Sequence, residues 1–231
     1  MIPIWLLGIA MAQEASLAGT FGLLQTAVSA AKVPVFGEVK SVMLTWSLVT
    51  ISAEGTQRQE ICAFEMQGRS MFFKTKVPPG YAKTLPVRTQ RPTFVQEGGT
   101  WRYEVDLGLL PVGYDPTLGY LPSTLEDPAV IDSDNDGKPG ATVQVEVRLF
   151  GTVDVYVVQM THVTLRGTVQ DADHIAGAMV IDAVEQHVLD ASNRLFVMNP
   201  KIRPIQEEST FRMQRLPDGS TCANVQEALS E

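Results

Sequence analysis

In the run Asp132-Ser133-Asp134-Asn135-Asp136-Gly137 the residue types and their spacing specify a chemistry. Carboxylates at alternate positions converge on one hard cation, and glycine at the sixth position permits the sharp turn that brings later backbone carbonyls round. Calcium is the ion that suits an all-oxygen set of this kind. The side chains of Asp132, Asp134 and Asp136 are the expected ligands, with the Lys138 carbonyl as a backbone donor and Glu126 or Asp127 as the source of a further carboxylate. The competing reading is a solvated turn rich in Asp, Asn and Gly, and the charge distribution weighs against it. Residues 96–137 hold nine acids and one base, whereas the rest of the chain holds 17 residues of each sign, so the whole net charge of −8 lies in this stretch. Such a segment repels itself unless a cation or a basic surface neutralises it. The ion is expected as a structural clamp, not as a catalytic metal.

Other chemistry is sparser. Cys62 and Cys222 are the two cysteines of the chain. In an exported protein an even count suggests a bridge, here one that staples the tail to the body, with two buried free thiols as the alternative. His162, His174 and His187 show no paired metal spacing, and Asp171, Asp173 and His174 read as a hairpin turn. No nucleophile elbow, phosphate loop or dinucleotide fingerprint occurs, so nothing in the spacing requires an enzyme. Six basic residues, Arg69, Lys74, Lys76, Lys83, Arg88 and Arg91, lie between Met66 and Gln96 with no acid among them. They offer a surface for anionic headgroups or glycans, a solvated basic face, or a counterpart to the acidic stretch. Trp46, Tyr103, Met160 and Met179 are large or adaptable apolar side chains on candidate strands, suited to line a ligand cavity or to fill a core.

The elements that must position these groups are strands. Valine outnumbers leucine, 26 to 20, and β-branched residues favour the pleated sheet. With 231 residues, 45% hydrophobic and 19% charged, the chain fits one globular domain, and its acidic balance disfavours nucleic acid as a partner. Period-two alternation places strands near 17–28, 39–53, 57–66, 70–77, 101–107, 142–149, 153–160, 162–170, 175–188, 194–198 and 209–216. The sharpest is TVQVEVRL at 142–149, with Val143, Val145, Val147 and Leu149 on one face. Short links between successive strands predict an all-β antiparallel meander closed into a β-barrel, with a β-sandwich as the alternative. Residues 76–92 form a proline-rich loop, and 108–140 a long irregular excursion ordered by the ion, a candidate lid. At the start, IPIWLLGIAM at 2–11 runs into Ala10-Met11-Ala12 and then Gln13-Glu14, the shape of a secretory signal cleaved after Ala12. A buried first strand is the alternative. The run falls far short of the ~20 apolar residues that span a bilayer, so no transmembrane span is expected. Residues 13–231 would form the single barrel domain of a secreted or periplasmic protein.

The Asp132 run resembles the first half of an EF-hand loop, but Val143 stands at the twelfth position in place of the bidentate Glu and the flanks read as loop and strand. The ion site is therefore retained without the EF-hand fold. The signal-like start, the β-meander and the D-x-D-x-D-G-x-P-G loop at 132–140 together resemble uncharacterised secreted bacterial β-proteins. At the level of architecture the chain is similar to lipocalin or calycin barrels, with Gly19-Thr20-Phe21 where the lipocalin Gly-x-Trp signature would stand. The expected function is a calcium-stabilised barrel that binds an apolar small molecule or lipid, lined by Trp46, Tyr103, Met160 and Met179. The alternatives are an envelope or assembly protein acting through protein–protein contacts, and a hydrolase with dispersed catalytic residues.

Overall fold

The computed structural model describes residues 17–33, 37–68, 73–78, 80–148 and 151–230, and the signal-like segment at 1–12 lies outside them. Three long strands open the chain as two hairpins: β1 (Gly19–Val33), β2 (Gly37–Ile51) and β3 (Gln57–Gly68). The short strands β4 (Phe73–Lys76), β5 (Arg88–Gln90) and β6 (Thr93–Glu97) lead to β7 (Thr100–Val112). After the excursion come β8 (Ala141–Val147), β9 (Gly151–Val169), β10 (His174–Ala191), β11 (Ile202–Pro204) and β12 (Thr210–Leu216), then helix α1 (Cys222–Leu229). All twelve strands join one antiparallel sheet that curls strongly into a half-barrel. No described helix is long and apolar enough to cross a membrane.

The strand order departs from a simple meander because the longest strands each serve two neighbours on one edge. β9 was expected as two strands, 153–160 and 162–170, but Thr161 and His162 offer no turn chemistry and the 19 residues run on unbroken. One edge of β9 pairs with β10, while the other pairs with β8 over its first half and with β7 from Gln159 to Thr168. β1 likewise pairs with β12 and then β11 opposite β2. The expected strand at 194–198 is instead a 3-10 turn, started by the Asn193 carboxamide accepting from the Leu195 amide at 3.1 Å.

Alternation divides the side chains between two faces. The inner face carries Phe21, Leu23, Tyr103, Val105, Leu165, Ile175, Phe211 and Met213 in one cluster, and Val153, Val155, Val157 and Val188 in a second further along β9 and β10. Phe211 packs its ring against Gly167, where an added Cβ would stand 2.7 Å from the ring and 2.5 Å from the Ala176 carbonyl. The aromatic side chain thus occupies the notch that a strand glycine leaves. Five polar residues are also buried, in two hydrogen-bonded sets. The Tyr103 hydroxyl donates to Gln57 Oε1 at 2.7 Å, and Gln59 Nε2 donates to Gln25 Oε1 and Ser47 Oγ at 3.2 and 3.1 Å.

The ladder ends at β4 and β5, and among the described residues the seam between them is bridged by side chains, not by strand pairing. Pro78 and Pro86 have no N–H to donate, so the described residues between β4 and β5 do not continue the ladder there. A 3-10 turn at Tyr81–Thr84 fills the gap instead, with the Tyr81 ring 5.8 Å from that of Phe64 on β3. Arg88 reaches across to donate to the Leu107 carbonyl of β7 at 3.3 Å.

Candidate metal centre

The excursion is fixed to the sheet before it forms any site. Tyr114 bridges to Val130, and Asp132 bridges to Gly140, whose amide donates to the Ile131 carbonyl at 3.0 Å. Gly140 has φ +80°, and a Cβ there would stand 2.6 Å from the Val157 carbonyl, so only glycine lets the loop lie against β9. Tyr114, Leu121, Leu125 and Val130 pack on Val158, Met160 and Leu189, the outer face of β9 and β10. His187 Nδ1 lies 2.7 Å from the Pro122 carbonyl and adds a polar tie. The excursion is therefore a second layer on the outside of the sheet. It does not cover the mouth of the half-barrel, where a lid was expected.

On this base one oxygen from each of Asp132, Asp134 and Asp136 lies within 4.8 Å of the others, the first and last residues exposed and Asp134 half-buried. Backbone amides set the carboxylates. Asp132 accepts from Gly137 at 2.8 Å and from Asp136 at 3.2 Å, and Asp136 accepts from Lys138 at 2.8 Å. Thr142, at the start of β8, gives its amide to Asp134 Oδ2 at 2.7 Å and its hydroxyl to Asp136 Oδ2 at 2.5 Å. Asn135 takes φ 58°, a left-handed turn that Asn tolerates and that folds the three side chains to one side. Burial pushes the Asp134 carboxyl up; the Thr142 amide opposes this, and the Asp136 charge adds to it. At Asp132 burial is outweighed by the amides of Gly137 and Asp136, which hold its carboxyl below the usual range. Asp134 Oδ1 is buried with no hydrogen-bond partner. The arrangement is a compact, negatively charged oxygen cage that could hold a metal ion.

Asp127 is not part of the cage, because its Oδ1 accepts from the Tyr120 hydroxyl at 2.8 Å and the Ala129 amide at 2.9 Å within its own turn. Tyr81, 8% exposed, was absent from the sequence-based set and stands beside it. Burial raises its phenol to about 12; nearby Ser133 lowers it and the Asp134 charge raises it. Its hydroxyl has no hydrogen bond of good geometry, although Ser133 is adjacent. The basic stretch is spread along the seam, where Lys76 pairs with Glu146 at 2.5 Å and Arg91 donates to the Glu54 carbonyl at 3.1 Å.

The four candidate lining residues do not converge. Tyr103 and Met179 face inward in the first core cluster, whereas Trp46 faces outward under α1 and Met160 outward under the excursion. Trp46 is placed by its pairing with Leu24, opposite in face to Leu23. The expected disulfide is present, Cys62 to Cys222 with Cα atoms 5.2 Å apart. Cys62 is the extra residue of a β-bulge opposite Trp46 and Ser47, and the bulge turns it out towards the helix. Asp171 accepts from the Asp173 amide at 2.8 Å and faces His174 Nδ1 at 2.9 Å, closing the hairpin turn as expected. A second polar constellation was not legible. His162 has Asp106 3.1 Å from Nε2 and Asp182 3.1 Å from Nδ1, both carboxylates brought in where bulges interrupt β7 and β10. No protein-family model, curated protein or solved structure matches the chain.

Proposed function

We propose that the protein is secreted or periplasmic and acts as an envelope or assembly component, making protein–protein contacts through an excursion clamped by calcium. The observation that carries this reading is the filled inner face. Tyr103 and Met179, the two lining candidates that point inward, are 1% and 7% exposed and packed among Phe21, Leu165 and Phe211. The outer surface is left as the place for recognition. There the excursion joins six acids, against one base, to exposed apolar side chains, with Leu118 at 49%, Tyr120 at 47% and Ile131 at 44%. That combination suits a basic protein surface with apolar spots, since charge steers the approach and apolar contact holds it. Calcium at Asp132, Asp134 and Asp136 would fix the shape of this surface. The disulfide supports an oxidising compartment.

A photo-activatable residue at Leu118, introduced in the cells that export the protein, tests the proposal. A discrete protein adduct that disappears with chelator is expected. Saturable uptake of an apolar fluorescent probe, weakened by Met179→Ala in a variant shown to be folded, with no adduct at Leu118, would overturn it in favour of an internal ligand.

A further inference from the structure

Two buried oxygens in and beside the aspartate cage have no hydrogen bond of good geometry, and the Tyr81 ring packs in the same cluster as Ala141, next to the Thr142 that holds Asp134. One is Asp134 Oδ1 and the other is the Tyr81 hydroxyl, which lies close enough for Asp134 to act on it electrostatically. A phenol donates and a carboxylate accepts, so a water beside Ser133 that accepted from the phenol and donated to Asp134 would satisfy both groups. Asp134 Oδ2 is already committed to the Thr142 amide, so Oδ1 is the oxygen free to face a cation. Calcium takes six to eight oxygens, more than three carboxylates and a carbonyl supply, and the remainder are waters.

We propose that Tyr81 belongs to this centre as a positioning residue: its hydroxyl holds a water of the calcium shell against Asp134, so that ion binding on the excursion locks the Tyr81–Thr84 turn over the seam of the half-barrel. The inference rests on the calcium reading above. The mechanical link is direct. Tyr81 packs on Phe64 of β3 and belongs to the same buried cluster as Ala141 and Val147 of β8, the strands that carry β5 and β4 at the two ends of the ladder. Its turn is held by single hydrogen bonds, Tyr81 N to the Pro78 carbonyl at 3.0 Å and Lys83 N to the Gly80 carbonyl at 3.1 Å. An anchored phenol would therefore steady both walls of the gap.

Calorimetric titration with calcium and amide hydrogen exchange, on the full chain and on Tyr81→Phe, test this. The phenylalanine keeps the ring packing and removes the hydroxyl. Calcium should bind the wild type and slow exchange at 81–84 together with 132–142. In Tyr81→Phe, calcium affinity should fall about tenfold, the low end for an outer-shell partner. The slowing at 81–84 should vanish while that at 132–142 persists. Wild-type affinity in the variant, or calcium that protects 132–142 without touching 81–84 in the wild type, would overturn the inference and leave the calcium site standing. No heat of binding in the wild type would remove both.

Discussion

Asp134 is the residue on which the centre turns. It is the least solvated of three carboxylates within 4.8 Å of one another, and its Oδ1 has no partner. Without an ion its negative charge is held against burial and against Asp136, so its folded-state pKa stands above the ordinary value. The sign follows from linkage: a raised carboxyl binds its proton more tightly in the folded state, so in the ion-free protein this residue favours folding more as pH falls through its folded pKa. Calcium needs the ionised form, so its stabilisation should weaken over the same interval. Asp134→Asn keeps the shape and removes the charge. Differential scanning calorimetry at neutral pH should show that calcium at a hundredfold excess over its Kd adds about 2.7 kcal/mol to the wild type and nothing to the variant. An equal gain in both would place the ion elsewhere.

At the scale of elements, two layers on the outer face do what sequence reasoning assigned to the barrel's interior. Helix α1 covers Trp46, Leu24 and Leu48, and the excursion covers Val158, Met160 and Leu189. With eight residues, α1 is too short to persist alone and depends on this packing and on its bond to β3. Its start is set by the Thr221 amide donating to the Asn224 side chain at 2.9 Å. The excursion has little regular structure of its own, so the apolar contact beneath it holds it in place. Leu189→Ala should therefore cost about 2–3 kcal/mol. It should also open residues 114–130 to protease before the sheet unfolds. Simultaneous loss of sheet and excursion in the proteolysis time course would show that the two are one cooperative unit.

For the whole molecule the disulfide is the covalent constraint, joining positions 160 apart and fastening the tail to the third strand. In the chain-entropy model a loop of that size contributes about 5 kcal/mol, less any native strain. Paired replacement of Cys62 and Cys222 by alanine should lower the denaturant midpoint by a corresponding amount, and the helix amides should exchange first. An unchanged midpoint would mean that the core alone holds the tail. The constraint has a purpose in this architecture, because a half-barrel whose seam is bridged by side chains lacks the continuous ladder that secures a closed one.

Local chemistry was legible in the sequence. The alternation in 142–147 predicted which face of β8 carries Val143, Val145 and Val147; the even cysteine count predicted the bridge; and the D-x-D-x-D-G spacing predicted three convergent carboxylates. Each of these is fixed by periodicity or by covalent geometry over a few residues, or by simple pairing of two groups. What the sequence could not assign was which face of each strand points inward. The side-chain period of two is the same for either choice, so Trp46 and Met160 read as lining residues until their neighbours placed them outside. Curvature and closure were equally hidden, since they depend on which strands share an edge of β9 and on prolines that leave a seam unpaired. Tyr81 packs with Ala141 at the end of the excursion, and Asp106 and Asp182 reach His162, across sequence separations that only the folded sheet brings together.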